Sequence, residues 1–528
     1  MKKVDVLVIG AGFSGLGAVI RLTEAGYDDI VVLERGNDVG GTWRDNTYPG
    51  AACDVPSHLY SYSFAHNPEW SRSFSAQPEI QDYIKRTARE HDAYRFMRFG
   101  VEVTESTYDV DRGRWTVKST GGDYDARIVI LGVGPLCEPK LPDIEGIESF
   151  SGEVFHSARW DHETDLSGKR VAVIGTGASA IQIVPSIADK VGHMDVYQRT
   201  APWIIPRNDR EYTTVERLAA RHVPGWTRAV RGMQWMFREA QVPAFTKRGL
   251  AALPAKTLAN TLINAQVRDP ELREKVTPKY EIGCKRILIS NHWYPTLQQD
   301  NVELVTDGIQ KVTPNSIVTA DGTEREIDVL IIATGFRVTD SPAFEKVYGA
   351  EGASLGETWR ETGMSAYKGA TVPGFPNMFL LIGPATGLGH SSMIYMIESQ
   401  LNYLVGAMDA MRERQAQVID VRDHVHEAYN AELRDTLSST VWKAGGCSSW
   451  YLDEHGNAPA VWPSWTFEFR NLTKHFDMPA YYSGSAAEVA SATGTGVATS
   501  ASANGSGPGR NGNSPDHAES VDGVGVSR

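Results

Sequence analysis

The sequence has few cysteines, no long apolar run and no excess of positive charge. Its 528 residues include four cysteines (Cys53, Cys137, Cys284 and Cys447), and none of these stand at the close spacing of zinc ligands or redox pairs. We therefore expect neither a disulfide framework nor a structural zinc site, as suits a reducing cytoplasm. No segment approaches the ~18 uninterrupted apolar residues of a membrane-spanning helix.

Acidic residues outnumber basic ones, 65 against 52, which gives a formal net charge of −13. This balance argues against nucleic acid as the main partner, because neutralising phosphates requires a basic surface. Lys2 and Lys3 precede an apolar run, as in a secretory signal, but Asp5 interrupts it and a glycine motif follows. We predict a cytoplasmic protein and make no prediction of its oligomeric state.

The C-terminal end has a different composition from the rest of the chain. From Ser483 onward the sequence consists mostly of Gly, Ser, Ala, Thr and Asn, with few large apolar residues. Such a segment buries too little surface to offset the entropy lost on ordering. We therefore expect a disordered tail over 483–528 and a folded part that ends near Tyr482.

Two stretches, 4–34 and 170–199, share one pattern. Each has a short β-rich run, a glycine turn, a segment of helical periodicity and a second β-rich run. This duplication of a βαβ unit predicts an α/β fold with two Rossmann-like dinucleotide-binding domains.

The first copy contains GAGFSG at 10–15, with Gly10, Gly12 and Gly15 in the three glycine positions of the dinucleotide fingerprint. These glycines allow a tight turn and bring the backbone close to a pyrophosphate at a helix N-terminus. Glu34, at the end of the second strand, is placed to accept hydrogen bonds from a ribose. We expect a dinucleotide here.

The second copy ends in Arg199-Thr200 instead of an acid. An arginine can bind a 2′-phosphate that an acidic residue would repel, so this site favours NADPH. Its phosphate loop is Gly175, Thr176, Gly177, Ala178 and Ser179. Two such sites in one chain are typical of flavoproteins that hold FAD in the first and exchange NADPH in the second.

The remaining segments are assigned around these two units. We expect an FAD-binding domain of 1–140 and 377–482, an NADPH-binding domain of 150–210 and 283–376, and a helical insertion of 211–282.

The connector before the second glycine motif carries a distinctive pattern. Phe150, Gly152, His156 and Trp160 match FxGxxxHxxxW in full. Together with the flanking Rossmann motifs, this resembles the fingerprint of Baeyer–Villiger monooxygenases, a family of class B flavoprotein monooxygenases. We do not expect a pair of cysteines that takes electrons from the flavin, because no second cysteine lies within a few residues of Cys53.

The resemblance implies roles for several further residues. It places Asp54 beneath the flavin near the nicotinamide, and identifies Lys285-Arg286 with the family's Lys-Arg pair. It also implies FAD contacts from Thr42, Trp43, Tyr60 and the backbone of Val103, and an NADPH ribose contact from Trp450.

The family chemistry implies that NADPH reduces FAD and that dioxygen then forms a C4a-peroxyflavin. This species attacks a ketone to give an ester or lactone. Arg286 would stabilise the negative charge, and Asp54 would hold that arginine in place. Two alternatives remain open: an N- or S-oxygenating flavin monooxygenase, and an NADPH oxidase or electron-transfer flavoprotein.

Overall fold

The structure is a computed structural model that describes residues 1–246, 250–447, 449, 451–453 and 456–495. Trp450 therefore lies outside the described residues, as does the predicted tail from 496 onward. None of the described helices is long and apolar enough to cross a membrane.

The strands, in chain order, are β1 (Lys2–Ile9), β2 (Ile30–Glu34), β3 (Met97–Phe99), β4 (Val103–Asp109), β5 (Arg114–Ser119), β6 (Tyr124–Leu131), β7 (Glu153–His156), β8 (Arg170–Ile174), β9 (His193–Tyr197), β10 (Ile204–Ile205), β11 (Leu288–Ile289), β12 (Val302–Val305), β13 (Ile309–Val312), β14 (Ser316–Thr319), β15 (Glu324–Glu326), β16 (Val329–Ile332), β17 (Val347–Tyr348), β18 (Met378–Leu380), β19 (Val418–Val421) and β20 (Tyr481–Gly484).

The α-helices are α1 (Phe13–Glu24), α2 (Thr42–Asp45), α3 (Gln77–Glu90), α4 (Ala180–Ile187), α5 (Thr214–His222), α6 (Trp226–Glu239), α7 (Val242–Thr246), α8 (Leu253–Gln266), α9 (Pro270–Val276), α10 (Trp293–Thr296), α11 (Leu355–Thr362), α12 (Met393–Arg414), α13 (Asp423–Ser438), α14 (Val441–Ala444), α15 (Thr466–Leu472) and α16 (Ala486–Thr493).

Two mostly parallel sheets organise the chain. The first has the order β17-β4-β5-β6-β1-β2-β3, with β18 also paired to β6, and the second has the order β12-β9-β8-β16-β7. Val8 of β1 pairs with Val32 on one side and Ile130 on the other, and all three are fully buried. Central strands covered on both faces need such unbroken apolar runs. The predicted α/β fold with two Rossmann-like domains is confirmed.

The two glycine turns have the same physical cause. Gly10 and Gly175 adopt φ of 99° and 117°, which favours glycine. A Cβ on Gly10 would lie 2.7 Å from the carbonyl oxygen of Gly132, and one on Gly175 would lie 2.5 Å from that of Ala333. In each unit, the glycine at the end of the strand therefore packs against the backbone of the residue that follows the neighbouring strand, β6 in the first unit and β16 in the second. This shared geometry agrees with the duplication.

One expected boundary is wrong. Residues 347–376 were predicted to belong to the NADPH-binding domain, but β17 pairs with β4 of the first sheet. Leu355, Trp359 and Phe375 are buried in the same apolar cluster as Trp115 of β5. The chain therefore returns to the first domain about thirty residues earlier than predicted, because strand signals do not show which sheet a short strand joins.

The start of the predicted disordered tail is also wrong. Residues 483–495 include the end of β20, which pairs antiparallel with β19, and the whole of α16. Ser485 and Glu488 form a capping box at the start of this helix, and Val489 is buried. The abundance of small residues in this segment led to a prediction of disorder, although the segment contains a short amphipathic helix.

Candidate functional site

The predicted FAD residues surround one large cavity at the C-terminal ends of β1 and β2. This is where open parallel sheets bind their ligands. The cavity is lined by Gly10, Gly12, Glu34, Thr42, Trp43, Tyr60 and Val103, among others. Gly15 is not in this lining: a Cβ there would lie 1.9 Å from the carbonyl oxygen of Gly10, so the residue lets α1 approach the strand.

Glu34 is a buried carboxylate held at the cavity wall. It accepts hydrogen bonds from the backbone amides of Ala11 at 2.8 Å and Gly36 at 2.7 Å. It also lies 2.8 Å from the guanidinium of Arg44, which in turn bonds Asp45. Arg44 lines the same cavity but was missed by the sequence analysis, since no motif marked it.

An aromatic pair forms another part of the wall. The indole N–H of Trp43 donates to the hydroxyl oxygen of Tyr60 at 3.1 Å, and the two rings meet edge to face. Burial raises the pKa of the Tyr60 phenol well above its usual value. The phenol therefore stays protonated and can serve as a hydrogen-bond donor.

The second phosphate loop runs from β8 into α4. Gly177 has open space where a Cβ would stand, and Ala178 is exposed. The hydroxyl of Thr176 donates to the carbonyl oxygen of Thr200 at 3.2 Å, which ties this loop to the end of β9. Ser179 faces Tyr48 of the first domain.

Arg199 and Lys285 lie close enough to influence each other. Burial, followed by the positive charge of Arg199, lowers the pKa of Lys285. The Lys285 ammonium also lies over the ring of Tyr280, 5.2 Å from its centroid. Arg199 follows β9 and Lys285 precedes β11, and two neighbouring positive charges of this kind suit an anion such as a phosphate.

Asp54 and Arg286 form a two-point ion pair. The Nε and Nη2 atoms of Arg286 donate to the Asp54 carboxylate at 2.6 and 2.7 Å. Burial acts against both charges, but the pair's mutual attraction lowers the pKa of Asp54 and raises that of Arg286. Both groups therefore remain charged at neutral pH. Arg286 also donates to the carbonyl oxygen of Leu388 at 3.2 Å.

The sequence analysis missed two polar residues around this pair. Arg238 of α6 donates to the backbone carbonyl of Asp54 at 3.2 Å, and its positive charge also lowers the pKa of the Asp54 carboxyl. Gln182 of α4 bonds the hydroxyl of Tyr48 at 3.1 Å and both backbone groups of Ala52. It therefore joins the second Rossmann unit to the loop that carries Asp54.

The segment 383–392, which leads into α12, is held from several sides. His390 is buried and lies 3.3 Å from the carboxylate of Glu239. That carboxylate also accepts hydrogen bonds from the amide and hydroxyl of Thr466 at 2.9 and 2.7 Å. Beyond the segment, Met393 and Ile394 line the large cavity.

His156 of the fingerprint is structural in its contacts. It is buried, its Nδ1 accepts from the amide of Ala158 at 3.1 Å, and its ring meets Phe336 edge to face. Burial lowers its pKa to about 4, so it is neutral at pH 7. Trp160 similarly meets Phe155 edge to face. These contacts fix the connector against the second sheet and its extension.

The expectation of no disulfide is wrong. Cys284 is bonded to Cys447, with Cα atoms 6.2 Å apart, a separation that suits a disulfide. The two cysteines are 163 positions apart, so spacing along the chain could not reveal the pair. The bond joins the residue before Lys285 to the segment that leads to Trp450. Of the other two, Cys53 is buried and its pKa is raised to about 12.

Comparisons with known proteins identify relatives over most of this chain. The flavin-binding monooxygenase-like family matches residues 1–230. A Baeyer–Villiger monooxygenase of Streptomyces coelicolor is 49% identical over 91% of this chain and 92% of its own, and one of Pseudomonas aeruginosa is 46% identical over the same shares. The crystal structure of OTEMO in complex with FAD and NADP superposes with a TM-score of 0.81 at 28% identity, covering 89% of this chain and 97% of that one.

Proposed function

The chain belongs to the Baeyer–Villiger monooxygenase family, and we propose that Asp54 and Arg286 form its reaction centre. The enzyme uses FAD and NADPH to insert one oxygen atom of dioxygen beside a ketone carbonyl, which gives an ester or lactone. The bound cofactors supply the electron transfer and oxygen activation, whereas the protein supplies binding, orientation and charge.

The large cavity fits FAD in shape and in chemistry. A Cβ on Gly12 would come no closer than 3.6 Å to other protein atoms, so this glycine leaves room for a ligand beside the backbone. The N-terminus of α1 offers backbone amides to a pyrophosphate. Glu34 would accept hydrogen bonds from the ribose, and Thr42, Trp43 and Tyr60 would contact the flavin end.

The residues after β8 and β9 fit NADPH. The loop from Gly175 to Ser179 would hold the pyrophosphate at the start of α4. Arg199 and Lys285 would bind the 2′-phosphate, because the two positive charges lie together where many NAD-binding proteins carry an acid. Thr200 would complete this end of the site through its bond to Thr176.

Arg286 is the residue that we assign to charge stabilisation. A guanidinium stays protonated at all relevant pH values, and in a partly dry site it stabilises an adjacent oxyanion strongly. Two of its donors are directed at Asp54 and one at Leu388. Asp54 thereby fixes the plane of the guanidinium, and the remaining donor capacity would face the negative oxygen that forms on the ketone.

The bidentate pair at the meeting point of the two dinucleotide domains is the observation that carries this proposal. It is tested by Arg286→Ala and Arg286→Lys, with Arg412→Ala on the exposed end of α12 as the matched control. We expect ester formation to fall at least ~10²-fold in the alanine variant, by analogy with the loss of an oxyanion donor. FAD should remain bound, because Arg286 does not line the large cavity. Unchanged ester formation would overturn the assignment.

We further propose an apolar ketone as substrate and a cytoplasmic location, where NADPH is available. Met393 and Ile394 line the FAD cavity together with Tyr60, which we place at the flavin end, and their apolar, adaptable side chains would suit an apolar substrate next to the flavin. Oxygen transfer to sulfides as well as ketones is compatible with such a surface. Comparing a ketone, an amine and a sulfide under the same conditions tests the preference.

A further inference from the structure

Helix α6 has its apolar face directed away from the protein. Trp226, Met233, Met236 and Phe237 are 37%, 61%, 60% and 70% exposed. At 100° per residue these four positions fall on one side of the helix. The buried residues of α6 are instead polar: Thr227, Arg231 and Glu239. This is the reverse of an ordinary surface helix.

The inward face of α6 is fixed by hydrogen bonds that the rest of the fold requires. Arg231 donates to the backbone carbonyls of His58 and Leu59 at 2.9 and 3.1 Å. Glu239 accepts from Thr466, and Arg238 donates to Asp54. Rotating the helix to bury its apolar side would break these bonds and leave buried charges unpaired. The apolar face is therefore held in solvent.

The exposed apolar surface continues onto the preceding helix. Val215 and Leu218 of α5 are both exposed, and α5 contacts α6. Val223 in the turn between the two helices is exposed as well. Isolated apolar residues are normal on a protein surface, whereas a contiguous set of this kind marks an interaction site. We call Val215, Leu218, Trp226, Met233, Met236 and Phe237 the α5–α6 face.

The charge of this region opposes that of the whole chain. The charged residues of α5 and α6 that are exposed are all arginines, whereas the whole protein carries −13. These are Arg217, Arg221 and Arg228, of which Arg221 is paired with the carboxylate of Glu69, so Arg217 and Arg228 are the ones offered to a ligand. Exposed Trp, Phe and Met beside basic side chains suit the interface of an anionic lipid bilayer.

We propose that the α5–α6 face binds the surface of an anionic membrane, with its apolar side chains among the lipid headgroups and its arginines against the phosphates. A second copy of the chain fits less well, because a two-fold interface would bring two basic faces together. The opposite side of α6 contacts Asp54, so membrane binding would bring apolar, lipid-dissolved compounds close to the reaction centre. The proposal does not depend on the reaction assigned above.

Flotation of the full-length, FAD-loaded protein with vesicles tests this proposal. We expect binding to vesicles that contain phosphatidylglycerol and much weaker binding to pure phosphatidylcholine. The double variant Met233→Gln/Phe237→Gln should lose about tenfold or more in lipid affinity, since two large apolar side chains no longer leave water. Leu141→Gln, which removes another exposed leucine, is the matched control and should bind as the wild type does.

The charge contribution is tested with Arg228→Gln against Arg414→Gln, an exposed arginine on α12. Only the first should weaken binding to the anionic vesicles. Absence of vesicle binding, or equal binding to neutral and anionic vesicles, would overturn the proposal. So would dimerisation of the wild type that the double variant abolishes, because the face would then be a contact between copies. FAD absorbance of each variant verifies that it is folded.

Discussion

The guanidinium of Arg286 donates to both carboxylate oxygens of Asp54, at 2.6 and 2.7 Å, across 232 positions of sequence. Asp54 lies in the loop that follows α2 of the first dinucleotide domain. Arg286 lies just before β11, and β11 pairs with β10, which follows the second Rossmann unit. The pair thus forms only when both halves are assembled. Its geometry fixes a positive charge where the two dinucleotide domains meet.

Asp54→Asn should lower the rate of ester formation at least about tenfold, because an amide cannot hold the charged guanidinium in the same way. Arg286 lowers the pKa of Asp54, so the wild-type pair is intact above the usual carboxyl pKa and is lost only as the pH falls through the lowered value. The defect should therefore be constant between about pH 6 and pH 9. The initial rate of ester formation at several pH values measures it, and a variant as active as the wild type would contradict the role of Asp54.

Arg199→Ala should raise the KM for NADPH by about tenfold or more and leave that for NADH nearly unchanged, because only NADPH carries the 2′-phosphate. Lys285→Ala should act in the same direction. Steady-state NADPH and NADH oxidation compares the variants with Lys190→Ala, an exposed lysine after α4. An equal effect on both nucleotides would place Arg199 outside the phosphate site.

Acid should destabilise the protein through buried histidines. Burial lowers the pKa of His156 and His58 to about 4, from a usual 6.5. Unfolding restores the usual value, so the unfolded chain binds more protons and stability falls as the pH drops from 6.5 towards 4. Each histidine contributes a slope of up to about 1.4 kcal/mol per pH unit.

Urea unfolding of wild type and His156→Gln at several pH values between 7.5 and 4.5 measures this effect. The variant should show a shallower loss of stability in acid, whereas His475→Gln, an exposed histidine, should match the wild type. The same slope in His156→Gln as in the wild type would contradict a neutral, buried His156.

Reduction of the Cys284–Cys447 bond should lower the melting temperature. A disulfide that closes so long a loop contributes about 2–4 kcal/mol, mainly by restricting the unfolded chain. Thermal unfolding with and without dithiothreitol measures the change, and Cys447→Ser should reproduce it without reductant. Cys137→Ser, at a free cysteine, is the control. A melting temperature that reductant does not alter would contradict a contribution of this bond to stability.

The fold was predictable where local sequence determines local geometry. Gly10 and Gly175 need a backbone conformation that few other residues adopt, and the residues before them, from Val6 and from Val171 onward, are apolar, so the two βαβ units are evident from the sequence. The return of β17 to the first sheet was not evident from the sequence, because a strand of two residues has too short a pattern to indicate its partner strand. The helix α16 was hidden by the surrounding glycine and serine.

The proposed reaction centre was predictable only in part. Asp54, Lys285 and Arg286 were found through a resemblance, since a Lys-Arg pair alone is usually a solvated surface. Arg238 and Gln182 were missed because polar residues on an amphipathic helix normally face water. In α6 the periodicity is clear, but only tertiary contacts show that its polar side faces inward. The Cys284–Cys447 bond depends in the same way on chain segments that meet only in the folded protein.

The most direct test of the account is to supply the enzyme with NADPH, an apolar ketone and ¹⁸O₂, and to analyse the products by mass spectrometry. We predict one ¹⁸O atom in the ester or lactone for each NADPH consumed, and loss of this product in Arg286→Ala with FAD still bound. If parallel reactions with an amine or a sulfide take up the label and the reaction with the ketone does not, the enzyme is an N- or S-oxygenating one. Stoichiometric labelled hydrogen peroxide without any ester would contradict the central claim.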